Sequence, residues 1–428
     1  VLTDDAVRLA AHCGPVPPSG KVAWLRSRLI TAIYAGWLGP GDTLPGARDL
    51  AQALDVSRGT VDAAYTQLAV EGFVDQRPRR RPSVVGVPGS RPRIAQPPES
   101  AAPPPSPGVP DPSLFPHRAW SAASRRALSA LTSEDLGYPD PAGHPRLRAG
   151  LADWLRRTRG VSATAETIHV TAGIAHAMAL LAEVLGMPAW AVERPGSPGS
   201  THMMRQLVQV REVPIDDAGL IPDEIPDESG VVLVTPTRQY PTGLLMPAER
   251  RRSLVEVCSA AGRWIVEDDW DSHLSPPGVP AAIQALAPET VILLGSLSKS
   301  LAPGLRLGWI VAPPEVADRL RELRRRTDLG VSVIVQLTAA ELIESGGLDR
   351  HLRRARAEYE RRRARLAAAV RSYGDIIGIP GGVHAFVATT SPGPLVDEMT
   401  RIGVPAAMVD DERYPGAVIS VAAFTGRG

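Results

Sequence analysis

Val291-Ile292-Leu293-Leu294-Gly295-Ser296-Leu297-Ser298-Lys299-Ser300-Leu301-Ala302-Pro303-Gly304-Leu305-Arg306-Leu307-Gly308 decides how the larger part of this chain is read. An apolar run, 291–294, leads into a lysine set among serines and followed by an arginine. The chain holds 45 arginines and only two lysines, Lys21 and Lys299. A guanidinium stays protonated and cannot condense with an aldehyde, whereas a lysine amine can lose its proton and form a Schiff base. In a chain that uses arginine for nearly every fixed positive charge, Lys299 is the lysine that arginine cannot replace. Ser296, Ser298 and Arg306 offer hydroxyls and a charge-assisted contact to an anion tethered to that aldehyde. The stretch reads as a pyridoxal phosphate lysine.

Such a cofactor also needs a carboxylate on its pyridine nitrogen, an anion site and an aromatic or apolar sandwich. In α/β sheets, ligands collect at the C-terminal ends of strands. Trp264-Ile265-Val266-Glu267-Asp268-Asp269-Trp270-Asp271 ends one such run, and Asp268 is a better candidate for the carboxylate than Asp269. Thr171-Ala172-Gly173-Ile174-Ala175-His176 follows another run and opens a helical pattern. The N–H groups around Gly173, Ile174 and Ala175 therefore suit a phosphate at a helix N-terminus. From Trp120 onward, β-rich runs at 168–171, 189–193, 209–214, 231–235, 264–268, 291–294 and 307–311 alternate with helical patterns, which predicts a parallel sheet covered by helices. A long arginine-rich helix is expected over 348–372.

At 428 residues the chain has room for two or three domains with real cores. Apolar content of 44% and charged content of 22% fit a globular protein, and a net charge of +1 excludes a global polyelectrolyte. Cys13 and Cys258 lie too far apart in sequence to suggest a disulfide framework, and no apolar run is long enough to span a bilayer. With no signal pattern at the N-terminus, a cytoplasmic protein without membrane contact is expected.

The N-terminal part is different in texture. Val22, Leu25, Leu29 and Ile33 recur at helical spacing, and Gly36 and Gly39-Pro40-Gly41 stop the helix. A short helix within 44–54 and a break at Asp55-Val56 follow. Ser57 is placed to cap a second helix over 58–71, whose inner stripe is Val61, Ala64, Tyr65 and Leu68. This is helix-turn-helix spacing, with the start of the second helix aimed at base edges. Runs 73–76 and 83–87 are expected to pair as a wing. Arg77, Arg79, Arg80 and Arg81 at its tip suit phosphates or the minor groove. The expected division is an N-terminal segment 1–20, a winged helix 21–87, a proline-rich spacer 88–116 and an effector domain 117–428.

From Gly36 to Gly72 the sequence resembles the winged helix of GntR-type regulators, which implies that Arg48, Ser57, Arg58 and Thr60 contact double-stranded DNA. The wing departs from that family, with prolines and arginines where glycines are usual. Thr235-Pro236-Thr237-Arg238-Gln239-Tyr240-Pro241-Thr242-Gly243, Glu267-Asp268-Asp269-Trp270-Asp271-Ser272, 298–308 and the helix from Arg350-His351-Leu352-Arg353-Arg354-Ala355-Arg356 to Arg363 resemble signatures of the MocR/GabR subfamily. The resemblance implies a winged helix fused to an α/β fold-type-I aminotransferase-like domain with a smaller α+β C-terminal subdomain. It also implies that Tyr240 and Trp270 belong to the cofactor site, that a bound aldimine senses an amine or amino-acid effector, and that the protein is a head-to-tail homodimer.

Departures from the pattern bear on catalysis. Ser197 stands where a stacking tyrosine is common, Trp270 replaces a tyrosine and Arg238 a histidine. The stretch 416–421 lacks the arginine that usually clamps a substrate carboxylate, and the chain ends soon after it, at Gly428. Arg238 is a candidate substitute anion contact. The leading expectation is a regulator sensing a small amine, or pyridoxal phosphate itself, by exchange at Lys299, without net catalysis. A working aminotransferase carrying a DNA-binding domain, and a regulator whose effector domain is a cofactor-free dimerisation scaffold, remain alternatives.

Overall fold

The structure, a computed structural model, describes residues 3–77, 80–85 and 106–425. The chain divides into two compact units, Val1–Ala102 and Pro103–Gly428.

In the first unit the helices Asp4–Cys13, Lys21–Tyr34, Ala47–Leu54 and Arg58–Val70 precede a two-stranded antiparallel ribbon, Val74–Asp75 with Ser83–Val84. Val61, Ala64, Tyr65 and Leu68 are the buried face of Arg58–Val70, because positions three and four apart share one side of a helix. Tyr65 Oη donates to the Pro45 carbonyl at 2.9 Å, giving the buried ring's polar end a partner. The turn between Ala47–Leu54 and Arg58–Val70 is made by Asp55 in the left-handed region (φ 51°). Ser57 Oγ then caps the next helix by accepting from Thr60 N at 3.1 Å.

Within the N-terminal segment 1–20, Ala6, Leu9 and Cys13 of Asp4–Cys13 are buried, Leu9 and Cys13 in the winged-helix core. Their helical spacing was legible in the sequence. The wing strands are shorter than 73–76 and 83–87, and Arg79 and Val87 lie outside the described residues.

The second unit is built on an eight-stranded sheet. Its spatial order is Ile168–Thr171, Gly308–Val311, Val291–Ser296, Trp264–Asp268, Val231–Val234, Ala189–Arg194, Gln209–Asp216 and Gly219–Leu220. The strands expected from sequence are all present, but the sheet is mixed, not purely parallel. Gly308–Val311 runs antiparallel to both its neighbours. The reason lies in the connection: only 11 residues, 297–307, separate it from Val291–Ser296. A parallel crossover needs about a dozen residues or more, usually a helix. Lys299 sits in that short connection.

A second, four-stranded antiparallel sheet follows in the order Asp375–Ile377, His384–Ala388, Gly416–Ser420 and Ala406–Val409, with the helix Pro392–Arg401 beside it. The helix Gly347–Val370, close to the expected 348–372, packs against the turn Ser272–Leu274 and the strand Asp375–Ile377. The spacer expectation also needs correcting at its C-terminal end. Asp111 N donates to Tyr359 Oη at 3.1 Å, and the Asp111 carboxylate accepts from Arg362 at 2.7 Å. Leu114 and Phe115 pack against the core of the second unit, so 106–116 is folded chain. Residues 88–105 lie outside the described residues.

Candidate functional site

A cavity of about 310 Å³ opens at the C-terminal ends of the central strands, where Ser296, Ser298, Lys299 and Arg306 meet Ile174, Ala175, Tyr240, Asp268 and Trp270. Residues separated by more than a hundred positions converge there because strand ends and the loops beyond them share one edge of the sheet. Burial pushes the Lys299 amine below its usual range, opposed by the charges of Asp271 and Asp268. Its Nζ donates to the Gly108 carbonyl at 2.7 Å.

The two neighbouring aspartates have different surroundings. Asp269 is paired with Arg159 at 3.0 Å; burial raises its carboxyl, but the charges of Arg159 and His273 with hydrogen bonds from Ser272 and Arg159 together hold it below the usual range. Asp268 faces the cavity, and its Oδ1 is buried with no hydrogen-bond partner among the described residues. Burial, reinforced by the Asp269 charge and opposed by Lys299, pushes the Asp268 carboxyl up to about 7. An acceptor sealed in this way fits a pyridinium N–H.

At the other end, Gly173 precedes the helix Ile174–Leu185 with φ 96°, a conformation that favours glycine. A Cβ there would lie 3.2 Å from the Arg306 guanidinium, which would have to give way by a few tenths of an ångström. Ser298 N donates to Ser296 Oγ at 3.3 Å, leaving the Ser296 O–H proton for a ligand. His176 Nδ1 already accepts from Ala172 N at 3.0 Å, so the Ala172 amide is committed within the turn. This donor set fits a phosphate.

The aromatic wall is Trp270 and Tyr240, ring centroids 5.8 Å apart and edge to face. His384 stacks on Trp270 at 5.2 Å, a support that no local pattern announced. Trp270 Nε1 donates to the Arg238 carbonyl at 3.0 Å. Arg238 itself is no anion contact. It is 1% exposed, paired with Asp271 at 3.1 Å and donating to the carbonyls of Ile379 and His384. Ser197 lines the cavity and caps the helix Pro198–Met204 by accepting from Ser200 N at 3.3 Å. Sequence reasoning missed Ser106, Gly108, Ser200, Thr235 and Pro303, which also line the cavity.

In the first unit, Arg58, Arg77, Arg80 and Arg81 line one concavity of about 600 Å³ beside Tyr65. Arg58 is held by Asp62 at 3.3 Å and Arg77 by Asp75 at 2.8 Å, both pairs exposed. Arg48 is exposed near the start of Ala47–Leu54. Ser57 Oγ and Thr60 Oγ1 lie 2.8 Å apart within the cap. Arginines on one face beside the start of an exposed helix form a surface suited to a phosphate backbone.

The model of the GntR family of bacterial regulatory proteins matches residues 24–84, and that of class I and II aminotransferases matches residues 109–401. The chain thus joins a GntR helix-turn-helix, which implies DNA binding, to an aminotransferase fold, which implies pyridoxal phosphate. It is 35% identical over 419 residues to the HTH-type pyridoxine biosynthesis transcriptional regulator of Corynebacterium glutamicum, covering 92% of this chain and 88% of that one. It is 33% identical to the probable rhizopine catabolism regulatory protein MocR of Rhizobium meliloti, covering 82% and 77%. Among solved structures, a multiple-substrate aminotransferase from Thermococcus profundus shares the fold of the second unit with a TM-score of 0.66 at 24% identity, over 74% of this chain and 85% of that one. The protein belongs to the MocR-type GntR regulators and is a transcriptional regulator with an aminotransferase-like domain.

Proposed function

We propose that the second unit takes pyridoxal phosphate at Lys299, and that a small amine or amino acid exchanging with Lys299, or pyridoxal phosphate itself, is the signal that changes operator binding. The observation that carries this reading is the pairing in one cavity of a buried, partnerless Asp268 Oδ1 with the sole lysine of the unit, its amine depressed by burial. Bound pyridoxal phosphate supplies an aldehyde at which primary amines exchange reversibly.

The chain's own residues divide the work. Asp268 would hold the ring nitrogen, Tyr240 and Trp270 would flank the ring, and Gly173, Ile174, Ala175, Ser296, Ser298 and Arg306 would hold the phosphate. Lys299 Nζ offers a neutral nitrogen more readily than an exposed lysine does, because burial disfavours its charge. Gly108 accepts its hydrogen bond while the side chain is free. Arg48, Ser57, Arg58 and Thr60 read the operator, with Arg77, Arg79, Arg80 and Arg81 on the phosphates. Domains of this fold typically pair, and a head-to-tail homodimer would present two winged helices to a repeated or palindromic site. The Corynebacterium glutamicum relative's designation as a pyridoxine biosynthesis regulator favours the cofactor itself as signal.

Titration with pyridoxal phosphate should raise a visible absorbance band in the wild type, and borohydride should fix the label on the peptide bearing Lys299. Lys299→Ala should do neither. Footprints upstream of the protein's own gene should change with pyridoxal phosphate or a candidate amine in the wild type alone. Identical footprints with and without these ligands overturn the sensor reading. Keto-acid release from amino acids would make the protein an aminotransferase instead.

A further inference from the structure

Away from the Lys299 cavity, the second unit holds another hollow of about 320 Å³, lined from the end of the helix Pro145–Arg159 and the first half of Gly347–Val370. Its charges do not balance. Asp349 is committed to Arg157 at 2.8 Å and to Trp154 Nε1 at 3.0 Å. Arg353 and Arg356, three residues apart and so on one helix face, have no carboxylate partner among the described residues. Arg356 Nε donates to the His273 carbonyl at 2.8 Å, which orients the guanidinium and leaves its two terminal nitrogens without a partner among the described residues. Burial pushes the Arg356 guanidinium below its usual range; Asp349 opposes this and the neighbouring Arg353 charge adds to it.

Two residues lining the same hollow carry buried polar atoms that have no hydrogen-bond partner among the described residues. Ser275 is 3% exposed and its Oγ is unpartnered; His273 is 5% exposed and its Nδ1 is unpartnered. His273 Nε2 lies 3.2 Å from the Ser296 carbonyl, so it carries the proton and Nδ1 is left an acceptor. A buried polar group without a partner destabilises the fold unless something completes it.

We infer that this hollow binds a small hydroxylated phosphate ester. Arg353 and Arg356 offer planar forks to the phosphate, Arg157 stands beside them, Ser275 Oγ donates, and His273 Nδ1 accepts from the ligand's hydroxyl. The inference does not rest on the cofactor reading, since none of the residues offered to the ligand lines the Lys299 cavity. The two places are nonetheless joined: His351, two residues before Arg353, donates from Nε2 to the Ser300 carbonyl at 2.6 Å, next to Lys299.

The test is calorimetric titration of glycerol 3-phosphate into the full-length chain at about 0.15 M salt, where exposed charges alone are screened. Arg306→Ala, or saturation with pyridoxal phosphate, removes any phosphate binding in the Lys299 cavity. One site per chain should remain. Arg353→Ala should weaken it roughly tenfold or more, the loss of a charge-assisted hydrogen bond, and Ser275→Ala by less. Arg353 is exposed, so its variant should melt like the wild type. Absence of binding once the Lys299 cavity is blocked, or a remaining site indifferent to Arg353→Ala, overturns the inference.

Discussion

Lys299 Nζ and the Gly108 carbonyl lie 2.7 Å apart across 191 residues of sequence, so the cavity lysine is bonded to the chain that leads back toward the DNA-binding unit. Gly108 is a glycine in close quarters: a Cβ there would lie 3.4 Å from Nζ. Downstream, Asp111 is pinned to Tyr359 and Arg362. When Lys299 is engaged elsewhere, Gly108 loses its donor while the Asp111 anchor stays. Amide hydrogen exchange over 106–110 should therefore rise on addition of pyridoxal phosphate, with 112–120 unchanged. Equal exchange with and without the cofactor would break this link.

Asp268→Asn should separate stability from binding. The native carboxyl, raised to about 7, keeps a proton that the unfolded chain releases near pH 4. The folded state thus binds more protons across that window, and this group's contribution to stability falls as pH rises from about 4 to 7. Asparagine carries no such loss. Cofactor-free Asp268→Asn should gain stability relative to wild type between those limits and hold the gain above them, while binding pyridoxal phosphate more weakly. Parallel wild-type and variant melting curves across pH would contradict this.

Ser57→Ala removes the cap of the helix carrying Arg58 and Thr60, leaving Thr60 N without its side-chain acceptor. The expected cost is about 1 kcal/mol. It should appear as a lower denaturation midpoint of the first unit and as weaker operator binding, with the cofactor spectrum untouched.

Arg80 and Arg81 share the concavity with Arg58. If they sit on phosphates, replacing each with alanine should lower affinity about equally for operator and unrelated DNA. Each should also flatten the dependence of log affinity on log salt by about one ion. Arg58→Ala should instead cost sequence preference. A salt slope unmoved by Arg80→Ala and Arg81→Ala would take the wing off the backbone.

Arg238→Ala should be among the most damaging substitutions, because it strands Asp271, 1% exposed, without its cation. Breaking a buried pair on one side costs about 3–5 kcal/mol. Replacing both partners with apolar residues should cost less, and a thermal-denaturation cycle over the four proteins checks the difference.

Much of this arrangement was legible because its signals are local. An apolar run delivering a lysine, a carboxylate at the end of Trp264–Asp268 and a glycine before Ile174–Leu185 each lie within a few residues. What escaped was long-range. Ser106 and Gly108 sit in a proline-rich stretch whose composition reads as spacer, and the distant Lys299, Tyr359 and Arg362 give it a place to dock. Arg238 invited an anion because nothing in its motif reveals Asp271 beside it. The antiparallel strand Gly308–Val311 was readable in principle from its 11-residue connection.

The helix Asp4–Cys13 has a practical consequence for anyone borrowing the DNA-reading head. Leu9 is 1% exposed and Cys13 is fully enclosed, its thiol raised to about 11 by burial and so poorly reactive. A fragment excised at Lys21 would bare the apolar surface these residues cover and invite aggregation. A portable version must be cut upstream of Asp4.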